Sequence, residues 1–211
     1  MNQVNKRENY CGYPMGEDGR KMLADMSHHH APVTDWTLEL LDIQPDEIVL
    51  EIGCGGGHAL KRAACRITSG KLYGVDYSET AVLAAKEENA ENIAGGSLTV
   101  IEASVSRLPF PDHTFDKVYS IESYFFWPDL EQDFKEILRV LKPGGKVYIT
   151  GCVHWRDGLS EEEKAHLSSM NMRNLSFAEF GELLTAAGYQ DVHIHGKEGR
   201  EWICGEGTKA E

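Results

Sequence analysis

Glu51-Ile52-Gly53-Cys54-Gly55-Gly56-Gly57 constrains this chain more than any other stretch. An apolar run, Ile48 to Ile52, leads into it and a helical pattern, His58 to Ile67, follows. Glycines at such a junction permit positive φ and let a ligand lie against bare backbone. The chain must therefore place a strand, a tight turn and a helix in succession, which is the opening unit of a parallel α/β sheet.

The rest of the chain continues that alternation. Lys71 to Val75 is a second strand, with Asp76 at its end, about twenty residues beyond the loop. Ser78 caps a helix running to about Asn92, Leu98 to Glu102 is a third strand, and Phe115 to Ile121 a fourth. Leu130 to Leu141 is a helix, Lys142 to Gly145 a turn and Lys146 to Thr150 a fifth strand. Ser176 and Glu179 form a capping box for a helix that stops at Gly188. Asp191 to His195 and Glu201 to Cys204 then read as a closing hairpin. The expected fold is a doubly wound, Rossmann-like α/β domain: a mostly parallel seven-stranded sheet with an antiparallel C-terminal hairpin.

One domain is expected over 1–211, with an N-terminal arm that caps the cofactor (1–46), a cofactor-binding core (47–151), a lid (152–175) and a C-terminal helix and hairpin (176–211). The arm carries two expected helices, near Gly19 to Met26 and Thr34 to Leu41. The lid leaves the fifth strand at its carboxyl end, where open α/β sheets bind ligands, so it can cover the site.

The loop and Asp76 together point to a ligand containing adenosine, because a carboxylate at that strand end can accept from both ribose hydroxyls. The dinucleotide pattern G-x-G-x-x-G fails at His58, and no Gly-Lys-Ser/Thr follows for a phosphate loop. The pattern is instead E-x-G-x-G-x-G. With Val75-Asp76-Tyr77-Ser78, Leu108-Pro109-Phe110, Phe115-Asp116 and Arg139-Val140-Leu141-Lys142-Pro143-Gly144-Gly145, it resembles the class I S-adenosylmethionine-dependent methyltransferases over about residues 48 to 151.

That resemblance implies an enzyme binding S-adenosylmethionine and its product S-adenosylhomocysteine. It assigns Glu51 to orienting the loop or meeting the methionine amino group, and Gly53, Cys54, Gly55 and Gly57 to the methionine and ribose. Asp76 would hold the ribose and Tyr77 pack on the adenine. Ser104 stands where the family often has an acidic residue, so backbone near Val105 is expected to share the adenine contact; Ser120 completes the cofactor set.

After the fourth strand comes Glu122-Ser123 and an unbroken aromatic run, Tyr124 to Trp127. In this family that place faces the transferred methyl group. Glu122, Tyr124 and Trp127 are the expected acceptor-side residues, with core packing as the alternative for the aromatics. His154 and Trp155 are a weaker pair of the same kind. His28, His29 and His30 are adjacent and cannot share one helical face, so they read as exposed or capping residues, or as one histidine near the site. Trp36 reads as core.

The expected reaction is methyl transfer to a small molecule, with an RNA or protein methyltransferase and a catalytically silent cofactor-binding module as alternatives. A formal charge of -13, with Lys plus Arg 21 against Asp plus Glu 34, disfavours a nucleic-acid partner. No metal-ligand spacing is present, and the five cysteines form no disulfide framework. Met1 to Asn9 is polar and no apolar run reaches membrane-spanning length, so a cytoplasmic protein without membrane contact is expected.

Overall fold

The computed structural model describes residues 11–152, 159–162, 164–165 and 173–211. Seven strands form one sheet in the order β3-β2-β1-β4-β5-β7-β6. They are β1 (Ile48–Ile52), β2 (Lys71–Asp76), β3 (Leu98–Glu102), β4 (Phe115–Ile121), β5 (Leu141–Gly151), β6 (Gln190–Gly196) and β7 (Ile203–Thr208). β1 to β5 pair in parallel, and β7 runs antiparallel to both β5 and β6. The order reverses at β1, so β1 and β4 flank the switch point where such sheets open a crevice.

Helices cover both faces. One face is packed by α1 (Gly16–Leu41), α2 (His58–Ala64) and α3 (Glu79–Glu88), and α4 (Ala90–Ala94) follows α3 before the chain enters β3. The other carries α5 (Leu130–Val140) and α6 (Phe177–Ala187). Successive strand residues point to opposite faces, so Leu50, Val118 and Val147 join Phe134, Phe180 and Leu184 in one core. Val49, Leu72 and Tyr119 join Leu38, Leu60 and Ala63 in the other.

Four local expectations change. The helix expected from Ser78 to about Asn92 breaks at Asn89 into α3 and α4. The arm forms one 26-residue helix with Pro32 inside it, rather than two helices. Proline in a helix interior costs about 3 kcal/mol, and burial of Leu23, Val33, Trp36, Leu38 and Leu41 against the sheet offsets it. Lys142 to Gly145 lies within β5 as an irregular segment instead of a separate turn, with Gly144 at φ 74°. The second hairpin strand runs to Thr208, not Cys204. Gly205 and Gly207 hide it from the apolar pattern, yet they are required there. A Cβ on either would come within 2.8 Å of the Phe180 ring or 2.9 Å of Tyr189.

The Ser176–Glu179 capping box is present as expected. Among the described residues, no helix is long and apolar enough to cross a membrane.

Candidate active site

The glycine loop turns because Gly53 N–H and Cys54 N–H both donate to the Val75 carbonyl, at 2.8 and 3.0 Å. This folds the end of β1 across the end of β2. Gly53, Gly55 and Gly57 all have positive φ, but their surroundings differ. A Cβ on Gly53 would stand 2.1 Å from Ser123 Oγ, and one on Gly57 2.6 Å from Asn89 Nδ2 and 2.8 Å from Ala85 Cα. Those two glycines are needed by the protein's own packing. Gly55 and Gly56 face Leu23 at 3.5 Å or more, and both border a cavity of about 230 Å³.

Asp76 closes β2 at the edge of this cavity. Its Oδ2 accepts from Gly55 N–H and its Oδ1 from Ser78 N–H, each at 2.9 Å. Burial raises its carboxyl above the usual range, and the N–H donors from Ser78, Gly55 and Tyr77 act against that. Glu51 is 2 % exposed and accepts from Tyr119 Oη–H at 2.9 Å. Burial pushes its pKa up to about 8; the Tyr119 bond opposes the shift and the nearby Asp76 charge adds to it.

The arm closes this end. Tyr77 Oη–H donates to the Gly12 carbonyl, and Ser78 Oγ–H to the Pro14 carbonyl at 2.7 Å. The Tyr13 and Tyr77 rings lie 5.1 Å apart. Leu23, Ser27, His30 and Thr34 of α1 continue the wall.

At the other end, β4 stops at Ile121 and Glu122 adopts φ 56°, a left-handed conformation uncommon for a residue with a side chain. Its N–H donates to the Thr150 carbonyl at 2.9 Å, and its Oε1 accepts from Cys152 N–H. His30 Nε2 stands 3.8 Å from Oε2. Burial pushes the Glu122 pKa up to about 7, while burial and then the neighbouring His29 charge lower that of His30. Backbone strain of this kind costs on the order of 1–3 kcal/mol and concentrates at functional positions. Trp127 Nε1–H donates to Ser123 Oγ at 3.0 Å, and Phe126, Trp127 and Pro128 line the cavity beside it.

The structure thus gathers Glu51, Gly53, Cys54, Gly55, Asp76, Tyr77, Ser104, Val105, Glu122 and Trp127 around one cavity. Three expected residues lie elsewhere. Gly57 packs against α3 and Asn89, whose Nδ2–H donates to the Gly57 carbonyl at 2.9 Å. Ser120 is fully buried within β4. Tyr124 is fully buried against Phe125 and Phe180, so it belongs to the core and not to the cavity wall. Trp36 is buried against Trp202, as a core residue. His28 and His29 are exposed and only His30 reaches the cavity. His154, Trp155 and most of the expected lid lie outside the described residues.

The arm lies over the cavity as a cap, as the sequence led one to expect, whereas sequence reasoning missed Ser123 and the particular arm residues that line the wall. The His28–His30 cluster was a signal that α1 approaches the site, but nothing local distinguished His30 from its neighbours.

Three lining side chains are carboxylates, Glu51, Asp76 and Glu122, and among the described residues no Lys or Arg lines the cavity. Among the described lining residues a phosphate-bearing dinucleotide would find no lysine or arginine to meet its charge. S-adenosylmethionine fits: it brings a sulfonium, an ammonium and a ribose diol to a site rich in acceptors. The open backbone at Gly55 and Gly56 offers the bare surface such a ligand needs. Among the described residues, no three His, Cys, Asp or Glu side chains are placed to hold a metal ion.

Comparison with known proteins agrees with this geometry. A methyltransferase-domain family model matches residues 50–149. An uncharacterized methyltransferase of Bacillus subtilis (strain 168), YdaC, is 30% identical over 172 residues, covering 82% of this chain and 87% of that one. Cycloartenol-C-24-methyltransferase of Arabidopsis thaliana is 38% identical over 104 residues, 49% of this chain, and those residues span only 31% of the plant protein. Phosphoethanolamine N-methyltransferase 2 of Haemonchus contortus, solved with phosphomonomethylethanolamine and S-adenosylhomocysteine, shares the fold. Its TM-score is 0.73 at 19% identity, covering 84% of this chain and 53% of that one. Loop, acidic strand end, sheet order and relatives converge: the chain belongs to the class I S-adenosylmethionine-dependent methyltransferases.

Proposed function

We propose that this chain methylates a small molecule bound between the glycine loop and the end of β4. The observation that carries the reading is Glu122, held in a left-handed conformation at the cavity end of β4 beside Trp127. Bound S-adenosylmethionine supplies a methyl group on positively charged sulfur that needs no further activation. The chain's own work is to bind, align and exclude water.

In this reading Asp76 accepts from the ribose hydroxyls and Glu51 faces the methionine ammonium. Tyr77 covers the adenine, whose edge lies by Ser104 and the Val105 backbone. Residues 11–14 and α1 shield the cofactor from solvent, as their place on the cavity wall allows. Glu122 and Trp127 position the acceptor. The net charge of -13 favours a small acceptor over a polyanion.

The test is incubation of the protein with isotope-labelled S-adenosylmethionine and a metabolite extract, with mass spectrometry of the products. Label in a small molecule is the expected result. Label only in RNA or protein overturns the reading, and cofactor binding without any labelled product points to a silent module.

A further inference from the structure

Glu122 is the acidic group that the cofactor roles above leave unassigned. Its Oε1 is occupied by Cys152 N–H, whereas Oε2 faces His30 at 3.8 Å, beyond hydrogen-bond length. The Glu122 side chain is 12% exposed and that of His30 31%, so a carboxylate inside the cavity is followed by an imidazole that reaches solvent. The two residues come from distant parts of the chain, α1 and the β4 terminus.

We infer that Glu122 and His30 form a proton-accepting pair and that the acceptor is an amine. The inference rests on the small-molecule methyltransferase reading and deepens it. An amine enters water-exposed clefts mostly as an ammonium ion, which suits an acceptor end that presents the Glu122 carboxyl and, among the described lining residues, no Lys or Arg. A carboxylate, phosphate or phenolate acceptor would face Glu122 without a counter-charge. The faces of Trp127 and Phe126 offer further attraction to a cation.

An ammonium has no lone pair to donate, so its proton must leave first. The N–H bond breaks and the proton passes to Glu122 Oε2. The freed lone pair forms the N–CH3 bond as the S–CH3 bond breaks, and that bond's electron pair stays on sulfur as a neutral thioether. The methylated product carries the positive charge, and one proton is released through His30 to solvent. His30 is a positioning and relay residue; Glu122 touches the acceptor.

The groups facing Glu122 set its titration. Among the described residues they are His30 from α1 with His29 behind it, the Cys152 thiol and N–H after β5, with Arg200 acting on Cys152, and Tyr124. The base form is needed, and burial pushes the Glu122 pKa up to about 7. Activity on an ammonium acceptor therefore rises with pH through about 7.

The experiment offers the enzyme labelled S-adenosylmethionine with benzylamine, aniline, benzyl mercaptan, phenol and benzoate together. N-methyl products are expected to dominate. Label confined to the thiol, phenol or carboxylate overturns the amine assignment while leaving the methyltransferase reading intact. Binding is read independently on the S-adenosylhomocysteine complex by ligand-observed NMR. Preference for benzylamine over benzoate supports the inference; equal or reversed preference overturns it. Glu122→Gln should lower kcat for benzylamine about 100-fold, with S-adenosylhomocysteine affinity unchanged. Aniline, neutral at pH 7, should lose far less. His30→Gln should lower kcat about tenfold and move the acid limb of the pH profile. If both variants keep wild-type rates and pH profiles, the pair has no role in proton transfer.

Discussion

At the cofactor end of the cavity, the loop and its acidic partner come from one run of chain, β1 through the start of α3, and most of their contacts are backbone, with residues 11–14 and the Ser104–Val105 turn added around them. Gly53, Cys54 and Gly55 use their N–H groups to tie the loop to Val75 and Asp76. At the acceptor end the working parts are side chains from segments far apart, His30 on α1 and Glu122 and Trp127 after β4, with the Cys152 N–H after β5 holding Glu122. The first arrangement tolerates little change in conformation but much change in chemistry around it. The second can change its chemistry residue by residue. This is how one fold can keep a cofactor while varying its acceptor.

The sharpest way to break this contrast is the same substitution at two glycines of one loop. Gly55→Val should lower S-adenosylhomocysteine affinity about 100-fold or more by calorimetry, because φ is 50° and the branched side chain would occupy the ligand's space. The variant should remain folded by circular dichroism. Gly57→Val should instead fail to fold, because the Ala85 backbone stands 2.8 Å from the new Cβ. Normal affinity in Gly55→Val would remove the loop from the binding site.

Asp76→Ala is the next largest effect. Losing charge-assisted hydrogen bonds to the ribose should cost on the order of 1–3 kcal/mol in cofactor binding. An unchanged dissociation constant would show that Asp76 serves only Gly55 and Ser78.

Trp127→Ala tests the acceptor end alone. The acceptor KM should rise about tenfold, the loss of roughly 1.4 kcal/mol of contact, while cofactor affinity stays within about threefold. Equal losses in both would show that the two ends are one unit, coupled through the Trp127–Ser123 bond and the Ser123–Gly53 approach.

A last effect is on stability without ligand. Glu51 has a folded-state pKa raised to about 8 from an ordinary value of 4.5. A raised pKa contributes stability that is complete below the unfolded value and lost as pH rises through the folded one. Between about pH 5 and 8 the wild-type protein should therefore lose about 1 kcal/mol or more relative to Glu51→Gln, since a tenfold difference in proton affinity between the folded and unfolded chains is worth about 1.4 kcal/mol. Urea denaturation at both pH values checks this, and parallel curves would mean that Glu51 is solvated in the free protein.

Much of the fold was legible because its signals are local. Apolar runs ending in glycine marked β1, and Ser176 with Glu179 marked the start of α6. Asp76 was found because a strand end fixes where a side chain emerges. Errors arose where a tertiary partner decided the outcome. The arm reads as two helices in the sequence, and only packing on the sheet shows one helix with Pro32 inside it. The last strand reads as ending at Cys204, whereas it continues through Gly205 and Gly207, on which Phe180 and Tyr189 lie. Tyr124 and Trp127 are close together in one aromatic run, and the short helical turn Tyr124–Phe126 sends the first into the core and the second to the cavity.

By itself, the sequence determined the order of strands and helices, the glycine loop and the acidic strand end, because backbone conformation is set by neighbours along the chain. Only the tertiary structure decided that His30 faces Glu122, that Gly57 serves packing and Gly55 the cavity, and that the Gly12 and Pro14 carbonyls fasten the arm to Tyr77 and Ser78. Those relations join residues far apart in the chain. They depend on which faces bury together, and that is settled when the sheet and its helices close around shared cores.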